Sequence, residues 1–178
     1  MFNNKHKKYI SIAIFVLLFV GMIYAVKVYL NRLDCSLRLQ SLCSLMLVYH
    51  NEYNELPNHE RWYDLLICEF ALQDDFFKCP SCQKKGKIGT YFINKHLNSK
   101  WDGPGDLVFL FEGEFGWNQY GDANDILPLH SGGSHVLFLN GNVEFIKQED
   151  FDKLIWTSSS NKTVDNETTG INIKGQSQ

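Results

Sequence analysis

The first 33 residues of the chain contain no aspartate or glutamate, although they include five basic residues. The rest of the chain reverses this balance, with 12 basic against 20 acidic side chains and a formal net charge of −8. An acidic body repels phosphate backbones, which argues against nucleic acid as a partner. The chain has 178 residues, enough for one domain with an ordinary hydrophobic core.

Residues 9–26 lack charged side chains, and only Ser11 and Gly21 among them are not clearly apolar. A run of this length is close to what a helix needs to cross the hydrocarbon core of a bilayer. A cleaved signal peptide has a shorter apolar region and then a small-x-small site, of which residues 22–25 supply only the last small residue. The sequence therefore predicts an uncleaved anchor, with the lipid bilayer as a partner.

Basic residues before the span outweigh those after it, which predicts a cytoplasmic N-terminus and an extracytoplasmic domain. The expected location is the inner membrane, crossed once. The predicted segments are a basic N-terminus over 1–8, a transmembrane helix over 9–30, a domain over 31–156 and a tail over 157–178. The tail is predicted to be disordered because it lacks aromatic residues and is rich in small and polar ones.

Proline and glycine are absent between the span and Pro57, and apolar residues recur there at alternating spacings of four and three. This spacing is typical of one face of a helix. We therefore predict one long helix, lipid-embedded in its first half and amphipathic in its second half. A short second helix is predicted over residues 61–72. The residues of the stripe are Cys35, Leu39, Leu42, Met46, Tyr49 and Tyr53.

Short β-rich runs follow and predict an antiparallel sheet. Residues 90–93 and 107–111 are two of these runs, and Asn140-Gly141 predicts a hairpin because both residues accept the positive φ of a type I′ turn. This two-residue loop would pair Phe138 with Val143 and leave one face of the sheet buried. Between the runs, residues 112–129 show no periodicity and are interpreted as a long, exposed loop.

Several landmarks follow one another in a fixed order along the chain. They are Cys35, Tyr49-x-x-x-Tyr53, Trp62-x-x-Leu65, Phe77-Lys-Cys-Pro-Ser81, Thr90-Tyr-x-x-Asn94, Glu112, Trp117-Asn118 and the run from His130 through Gly132 and Gly133 to Asn140-Gly141. The chain thus resembles the prepilin-like and type II secretion pseudopilin-like family, whose C-terminal signature is a histidine followed ten positions later by Asp-Gly. The resemblance implies a pilin-like α+β fold, a long N-terminal helix on a small antiparallel sheet.

Two departures from that family limit the resemblance. Asn140 stands where the family has aspartate, which keeps the turn but removes the carboxylate. The Gly-Phe-Thr-Leu-x-Glu processing run is missing, because Met22 follows Gly21 and no acidic residue precedes Asp34. A carboxylate in lipid is costly unless it is paired, so its absence implies that the pairing is absent too. We expect a subunit that is neither processed nor polymerised by the usual route.

The five cysteines all follow the span, on the side where disulfides persist. Cys35 and Cys43 cannot pair along one helix, because eight residues separate them by roughly 12 Å. Pairings between the helix or Cys68 and the loop of Cys79 and Cys82 stay open. The same loop offers half of a zinc site, but its further candidates, Cys68, His59 and His96, are scattered in sequence.

Acidic side chains in the loop suggest a second kind of metal site. Asp122, Asn124 and Asp125 offer oxygen ligands suited to calcium, with Glu112 and Glu114 nearby. The motif lacks the full twelve-residue spacing of an EF-hand, and a solvated turn is the alternative. No cofactor is otherwise expected.

Catalysis is not indicated. His130 is expected to hydrogen-bond backbone in its turn and His135 to lie on the mixed face of the sheet, and no nucleophile elbow surrounds them. The sequence therefore predicts a membrane-anchored, pseudopilin-like subunit of an envelope or secretion assembly, with other envelope or pilin-like proteins as partners. The alternative is a membrane-tethered metal- or ligand-binding module that uses the 112–125 loop or the Cys79/Cys82 loop.

Overall fold

The computed structural model describes residues 4–80 and 88–158, and it has the α+β architecture that the sequence predicts. A long N-terminal helix packs on a small five-stranded sheet. The helices are α1 (Asn4–Tyr53) and α2 (Trp62–Phe70), with short 3₁₀ helices at Asp74–Phe77 and Gln148–Lys153. The strands are β1 (Gly89–Asn94), β2 (Val108–Gly116), β3 (Tyr120–Gly121), β4 (Gly133–Phe138) and β5 (Val143–Lys147).

Helix α1 runs for 50 residues without a break, so the predicted segments 1–8, 9–30 and 31–156 are not separated by any change in backbone. The apolar side chains between Tyr9 and Val26 are exposed, whereas Cys35, Leu39, Leu42 and Met46 are fully buried against the domain. One helix near the N-terminus is therefore long and apolar enough to cross a membrane. The predicted stripe is confirmed up to Met46, but Tyr53 is exposed.

Helix α2 begins at Trp62 and is shorter than the predicted 61–72. Asn54, directly after α1, has a positive φ of 54°. The helix ends before Ala71, whose left-handed conformation caps it. Trp62 is buried and its indole N–H donates to the carbonyl of Gln119 at 2.9 Å. This contact joins α2 to the segment that leads into β3.

The sheet is mixed, with the strand order β3-β1-β2-β4-β5. The four longer strands are antiparallel neighbours, as predicted, but the two-residue β3 pairs in parallel with β1. The prediction of a purely antiparallel sheet was therefore wrong at this edge. Strand β3 was not predicted because two residues carry no periodic signal.

The central strands are buried on both faces, contrary to the one-sided sheet that the hairpin predicted. One face packs on α1 and α2 through a core that includes Leu39, Tyr63 and Leu110. The other face forms a second core in which Phe111 and Trp156 meet at 4.9 Å between ring centroids. Residues 148–156 cover that face, since the C-terminal segment folds back over the sheet.

The hairpin register differs by one residue from the prediction. Leu137 pairs with Val143, and Gly141 N–H donates to the carbonyl of Phe138 at 2.9 Å. Of the two predicted turn residues, Asn140 and Gly141, only Gly141 has a positive φ, of 85°. The connection is therefore a three-residue loop with a glycine bulge rather than a type I′ turn. The shift brings Val143 onto the face that Leu137 and His135 share, toward α1. Of the predicted tail over 157–178, residues 159–178 lie outside the described part of the chain.

Candidate functional site

Five side chains able to bind metal or exchange protons meet between α1 and the sheet. Cys35 comes from α1, Cys79 from the segment after the first 3₁₀ helix, Glu112 from β2, His130 from the turn before β4, and His135 from β4. All five are buried. Burial of ionisable groups is costly unless they are paired, so their contacts decide what the cluster can do.

Glu112 lies at the centre of this cluster and is fully buried. Its Oε2 accepts hydrogen bonds from the Ser134 hydroxyl at 2.8 Å and from the His135 backbone N–H at 2.6 Å. Its Oε1 lies 3.0 Å from His130 Nε2. The carboxylate is therefore held by one hydroxyl, one backbone amide and one imidazole, as a buried carboxylate needs.

The His-Ser-Gly-Gly run builds the turn that places His130 over the sheet. His130 and Gly133 exchange two backbone hydrogen bonds of 3.0–3.1 Å, and Gly132 has a φ of 83°. A Cβ on Gly133 would lie 2.2 Å from the carbonyl oxygen of Ile146, so only glycine fits beside β5. The backbone of His130 makes the predicted turn bonds, but its imidazole instead faces Glu112 and Cys79.

The two thiols of the cluster are close together. The Sγ atoms of Cys35 and Cys79 lie 2.8 Å apart, and Cys79 Sγ lies 3.5 Å from His130 Nε2. The Tyr91 hydroxyl donates to Cys35 Sγ at 3.5 Å, and the backbone N–H of Cys79 donates to Thr90 Oγ1 at 2.7 Å. Strand β1 therefore orients both sulfurs.

Two arginines on α1 fasten the cluster's loops to the helix, one turn before Cys35 and one turn after it. Arg32 donates to the carbonyl of Ser131 at 2.7 Å, beside His130, and its guanidinium lies 4.4 Å from the ring centroid of Phe145. Arg38 donates to the carbonyl of Lys78 at 2.9 Å, beside Cys79. The same stretch of helix thus positions both loops.

The contacts shift the ionisation of the cluster in opposite directions. The hydrogen bond from Cys35 lowers the pKa of Cys79 to about 6, with His130 adding to the effect, and the same contact raises the pKa of Cys35. Burial alone would lower the pKa of His130, but its bonds to Cys79 and Glu112 raise it to about 9. Burial would raise the pKa of Glu112, yet the two histidines hold it well below its usual range.

One ring nitrogen of His135 makes no hydrogen bond to any described residue. This atom, Nδ1, is buried. The atom lies 3.5 Å from Glu112 Oε2, and its ring meets that of His130 edge to face at 4.8 Å. A buried nitrogen of this kind is rare in folded proteins, and coordination of an ion would satisfy it.

The residues predicted to bind calcium form a turn of their own. Asp122 pairs with Lys95 at 2.5 Å and accepts the backbone N–H of Asn124 at 2.9 Å. Asp125 accepts the backbone N–H of Asp122 at 2.8 Å. These contacts account for the solvated turn, and the calcium site stays a prediction. Glu112 does not join this turn, because it lies in β2 and points into the cluster.

The scattered zinc candidates are not brought to Cys79. His59 packs on the ring of Tyr120 at 4.6 Å, His96 lies 3.9 Å from Asp122, and Cys68 is exposed on α2. Cys82, the other half of the loop motif, lies outside the described residues. The four described cysteines, Cys35, Cys43, Cys68 and Cys79, are free thiols.

Sequence reasoning missed Glu112, His130 and His135 as members of one site. The predicted strand stopped at Phe111, whereas β2 continues to Gly116 and so replaces the first part of the predicted 112–125 loop. A strand continued by one residue would have placed Glu112 on the same face as Leu110. His135 was expected on a mixed sheet face. That expectation used a hairpin register that paired His135 with Ile146, whereas His135 pairs with Phe145.

Comparisons with family models, with curated proteins and with solved structures gave no match to this chain. The resemblance to prepilin-like proteins therefore stays a prediction that rests on the order of landmarks. The chemistry of the cluster follows from its own geometry. Two thiols, two imidazoles and a carboxylate can bind a metal ion, and the two sulfurs alone can form a disulfide.

Proposed function

We propose that the chain is a non-catalytic, membrane-anchored, pilin-like subunit of a bacterial envelope or secretion assembly. The observation that carries this proposal is the single helix α1, which is apolar and uncovered in its first half and packed on the sheet in its second half. A helix that joins both halves without a break holds the domain rigidly at the membrane surface. A flexible linker would instead suit a merely tethered enzyme.

The exposed apolar side chains of the first half support a bilayer as their surroundings. Phe15, Leu17 and Leu18 are each about 70% exposed, which water disfavours and lipid accommodates. The basic residues before the span favour a cytoplasmic N-terminus. On this proposal the domain faces the extracytoplasmic side of the inner membrane.

Apolar side chains also remain exposed on α1 beyond the span. Leu33 and Leu37 lie just after it, and Leu47 and Val48 lie near the end of the helix, each between 41% and 58% exposed. Exposed apolar groups on the outer face of a packed helix favour contact with another protein. Other envelope or pilin-like subunits are the partners that we propose for this face.

The burial of the Cys-His-Glu cluster supports a role without turnover. Cys35 and Glu112 are fully buried and His130 is only 7% exposed, which leaves little access for a substrate. The missing processing run and the lack of a carboxylate in the span favour a subunit that stays in the membrane rather than one that forms a fibre.

Membrane extraction of the full chain tests this proposal. We expect the protein to resist alkaline extraction, to be digested by protease only from the extracytoplasmic side, and to keep an untrimmed N-terminus by intact mass. Leu17→Arg combined with Leu18→Arg should release the chain, whereas Ser41→Arg, at an exposed position on the same helix, should not. A chain cut at or before Gly21 and assembled in fibres would overturn the proposal.

The runner-up function is a membrane-tethered metal-binding module. The specific observation in its favour is the set of buried donors around Glu112, which differs from the residues that the sequence suggested. A tightly held structural zinc ion is compatible with both the pilin-like subunit and the metal-binding module, so zinc content alone does not separate these two functions. The rate at which the bound metal exchanges does. Exchange within minutes would favour metal handling as the main role.

A further inference from the structure

We infer that Cys35, Glu112, His130 and His135 form a buried four-ligand site for one divalent transition-metal ion, best suited to zinc, with the Cys79 thiol in contact with Cys35 and His130. This site goes beyond the proposed function and does not depend on it, since a metal centre can stabilise an anchored subunit or any other domain. Three independent observations carry the inference: the convergence of the donor atoms, the unpaired nitrogen of His135, and the groups that orient the donors.

The donor atoms lie at separations that one ion can bridge. One ligand atom each from Cys35, Glu112, His130 and His135 lies within 4.8 Å of all the others. Two ligands of a tetrahedral zinc ion lie roughly 3.3 to 3.8 Å apart, given bond lengths of about 2.0 to 2.3 Å. The 3.5 Å between His135 Nδ1 and Glu112 Oε2 falls in this range, and the 3.0 Å between His130 Nε2 and Glu112 Oε1 lies just below it. Pairs of donor atoms near 4.8 Å would need to close by about 1 Å.

The unpaired Nδ1 of His135 points to a ligand independently of those distances. It is buried without a hydrogen bond, in a cluster where Glu112 already has three partners. The nearest carboxylate oxygen, Oε2 of Glu112, lies 3.5 Å away and already accepts two other hydrogen bonds, so metal coordination would satisfy this nitrogen. Imidazole nitrogen is the commonest metal ligand among side chains.

The surrounding groups orient the donors as outer hydrogen-bond partners do in metal sites. Ser134 and the His135 N–H hold Oε2 of Glu112, so that Oε1 faces His130 and the interior of the cluster. Tyr91 bonds to Cys35 and Thr90 fixes the backbone of Cys79. Such partners set the direction and basicity of the ligands themselves.

The donor set selects the class of metal. Thiolate and imidazole ligands disfavour calcium and magnesium, which prefer oxygen, whereas a mixed set of sulfur, nitrogen and one carboxylate oxygen suits zinc. A zinc ion here would join α1, through Cys35, to β2 and β4. It would therefore fasten the membrane helix to the sheet.

A disulfide between Cys35 and Cys79 is the competing use of the two sulfurs, which lie 2.8 Å apart. A disulfide would account for the thiols alone. It would leave the Nδ1 of His135 unpaired and give no reason for two imidazoles to meet beside a carboxylate. The metal accounts for both imidazoles and the carboxylate as well as the Cys35 thiol, and we therefore favour it.

Cobalt substitution of the full chain in detergent tests the site. Reduced protein, stripped with a chelator, should bind one Co²⁺ per chain, with a thiolate-to-cobalt charge-transfer band and the intense visible bands of tetrahedral coordination. Zinc should displace the cobalt at one equivalent. Cys35→Ser and His135→Asn should each weaken cobalt binding at least tenfold, whereas Cys43→Ser and Cys68→Ser should not change it.

The wild-type spectrum keeps the inference testable even if a variant fails to fold. Absence of the charge-transfer band in wild-type protein that circular dichroism shows to be folded would overturn it. Equal cobalt affinity in His135→Asn and the wild type would also overturn it. Loss of binding in Cys82→Ser with full binding in His135→Asn would place the ion on the Cys79/Cys82 loop and contradict a buried site.

Discussion

Two carboxylates of the domain, Glu112 and Asp122, occupy opposite environments. Glu112 is fully buried among two histidines and a serine, whereas Asp122 lies at a partly exposed turn beside Lys95. In the turn, Lys95 already balances the charge of Asp122. Around Glu112, the buried Nδ1 of His135 makes no hydrogen bond to any residue that the structure describes.

The difference teaches that acidic residues close together in sequence are a weaker guide to a metal site than buried donors left unpaired. The run of residues 122–125 looks suited to calcium in sequence, but its side chains cap the turn and bind a lysine. The donors around Glu112 are distant in sequence and meet only in the fold. Measurements of stability and of calcium affinity test this contrast, beginning with the largest expected effect.

Replacement of Glu112 should cost the most stability. Glu112→Gln keeps the shape of the side chain but leaves His130 without its charged partner, and breaking a buried pair costs about 3 to 5 kcal/mol. Asp122→Asn should cost far less, because its partner Lys95 remains solvated. Denaturant unfolding of the full chain in detergent, followed by tryptophan fluorescence, measures both. Equal losses in the two variants would contradict the contrast.

The stability of the metal-free, reduced protein should depend on pH through the ionisation of the buried cluster. The pKa of His130 rises from 6.5 to about 9 on folding, so its contribution is fully present below pH 6.5 and is lost as the pH rises toward 9. The pKa of Glu112 falls below 4.5, so its contribution is present above pH 4.5 and is lost as the pH falls.

The pKa of Cys79 falls from 9.0 to about 6 on folding, so its contribution grows as the pH rises through this range and opposes that of His130. The stability of the wild type should therefore fall below pH 4.5 and change little between pH 6.5 and 9. Cys79→Ser removes the opposing thiolate but leaves His130 beside Glu112, so this variant should lose stability on the alkaline side. Denaturant midpoints across pH 4 to 9.5 measure this profile. Asp122→Asn serves as the control, because the pKa of Asp122 is about 2 and the residue contributes to neither slope in this range. An alkaline loss of stability that is no larger in Cys79→Ser than in the wild type would refute the assigned ionisation of His130.

Ser134→Ala should have a moderate effect. It removes the hydroxyl that donates to Glu112 at 2.8 Å, and loss of a bond to a buried charge costs about 1.5 to 3 kcal/mol. Ser131→Ala is the matched control, because Ser131 is exposed and its carbonyl, rather than its side chain, binds Arg32. Equal unfolding midpoints in the two variants would argue against a stabilising hydrogen bond from Ser134 to the Glu112 carboxylate.

Lys95→Ala should have the smallest effect on stability and tests the calcium prediction. Lys95 lies 2.5 Å from Asp122, so it competes with a cation for that carboxylate. Calcium titration by calorimetry should therefore detect tighter binding in Lys95→Ala than in the wild type. Unchanged calcium affinity would show that Lys95 does not compete with calcium for Asp122. Lys147→Ala, at an exposed strand end, serves as the control.

The long helix and the longer strands could be predicted from sequence because their signals are local. The spacing from Cys35 to Met46 and the apolar run over 107–111 depend only on neighbouring residues. The two-residue β3 and the second buried face could not be predicted, since they depend on segments that return from afar, such as the one ending in Trp156.

The site was predictable only in pieces. Cys35 and Cys79 were candidates for a cross-link, and His130 was marked by its turn, but nothing local places these residues beside Glu112. A two-residue hairpin loop was assumed at Asn140-Gly141, whereas the glycine bulge lengthens the loop and changes which residues of β5 lie beside His135. The predicted register was wrong by one residue, and this error assigned His135 the wrong neighbours from β5.

Native mass spectrometry of the full chain, extracted in detergent from zinc-supplied cells without reductant, tests the metal site most directly. We predict one zinc ion per chain and no loss of hydrogen mass from Cys35 and Cys79. A metal-free chain that is two hydrogens lighter, with a Cys35–Cys79 disulfide mapped by peptide analysis, would contradict the account.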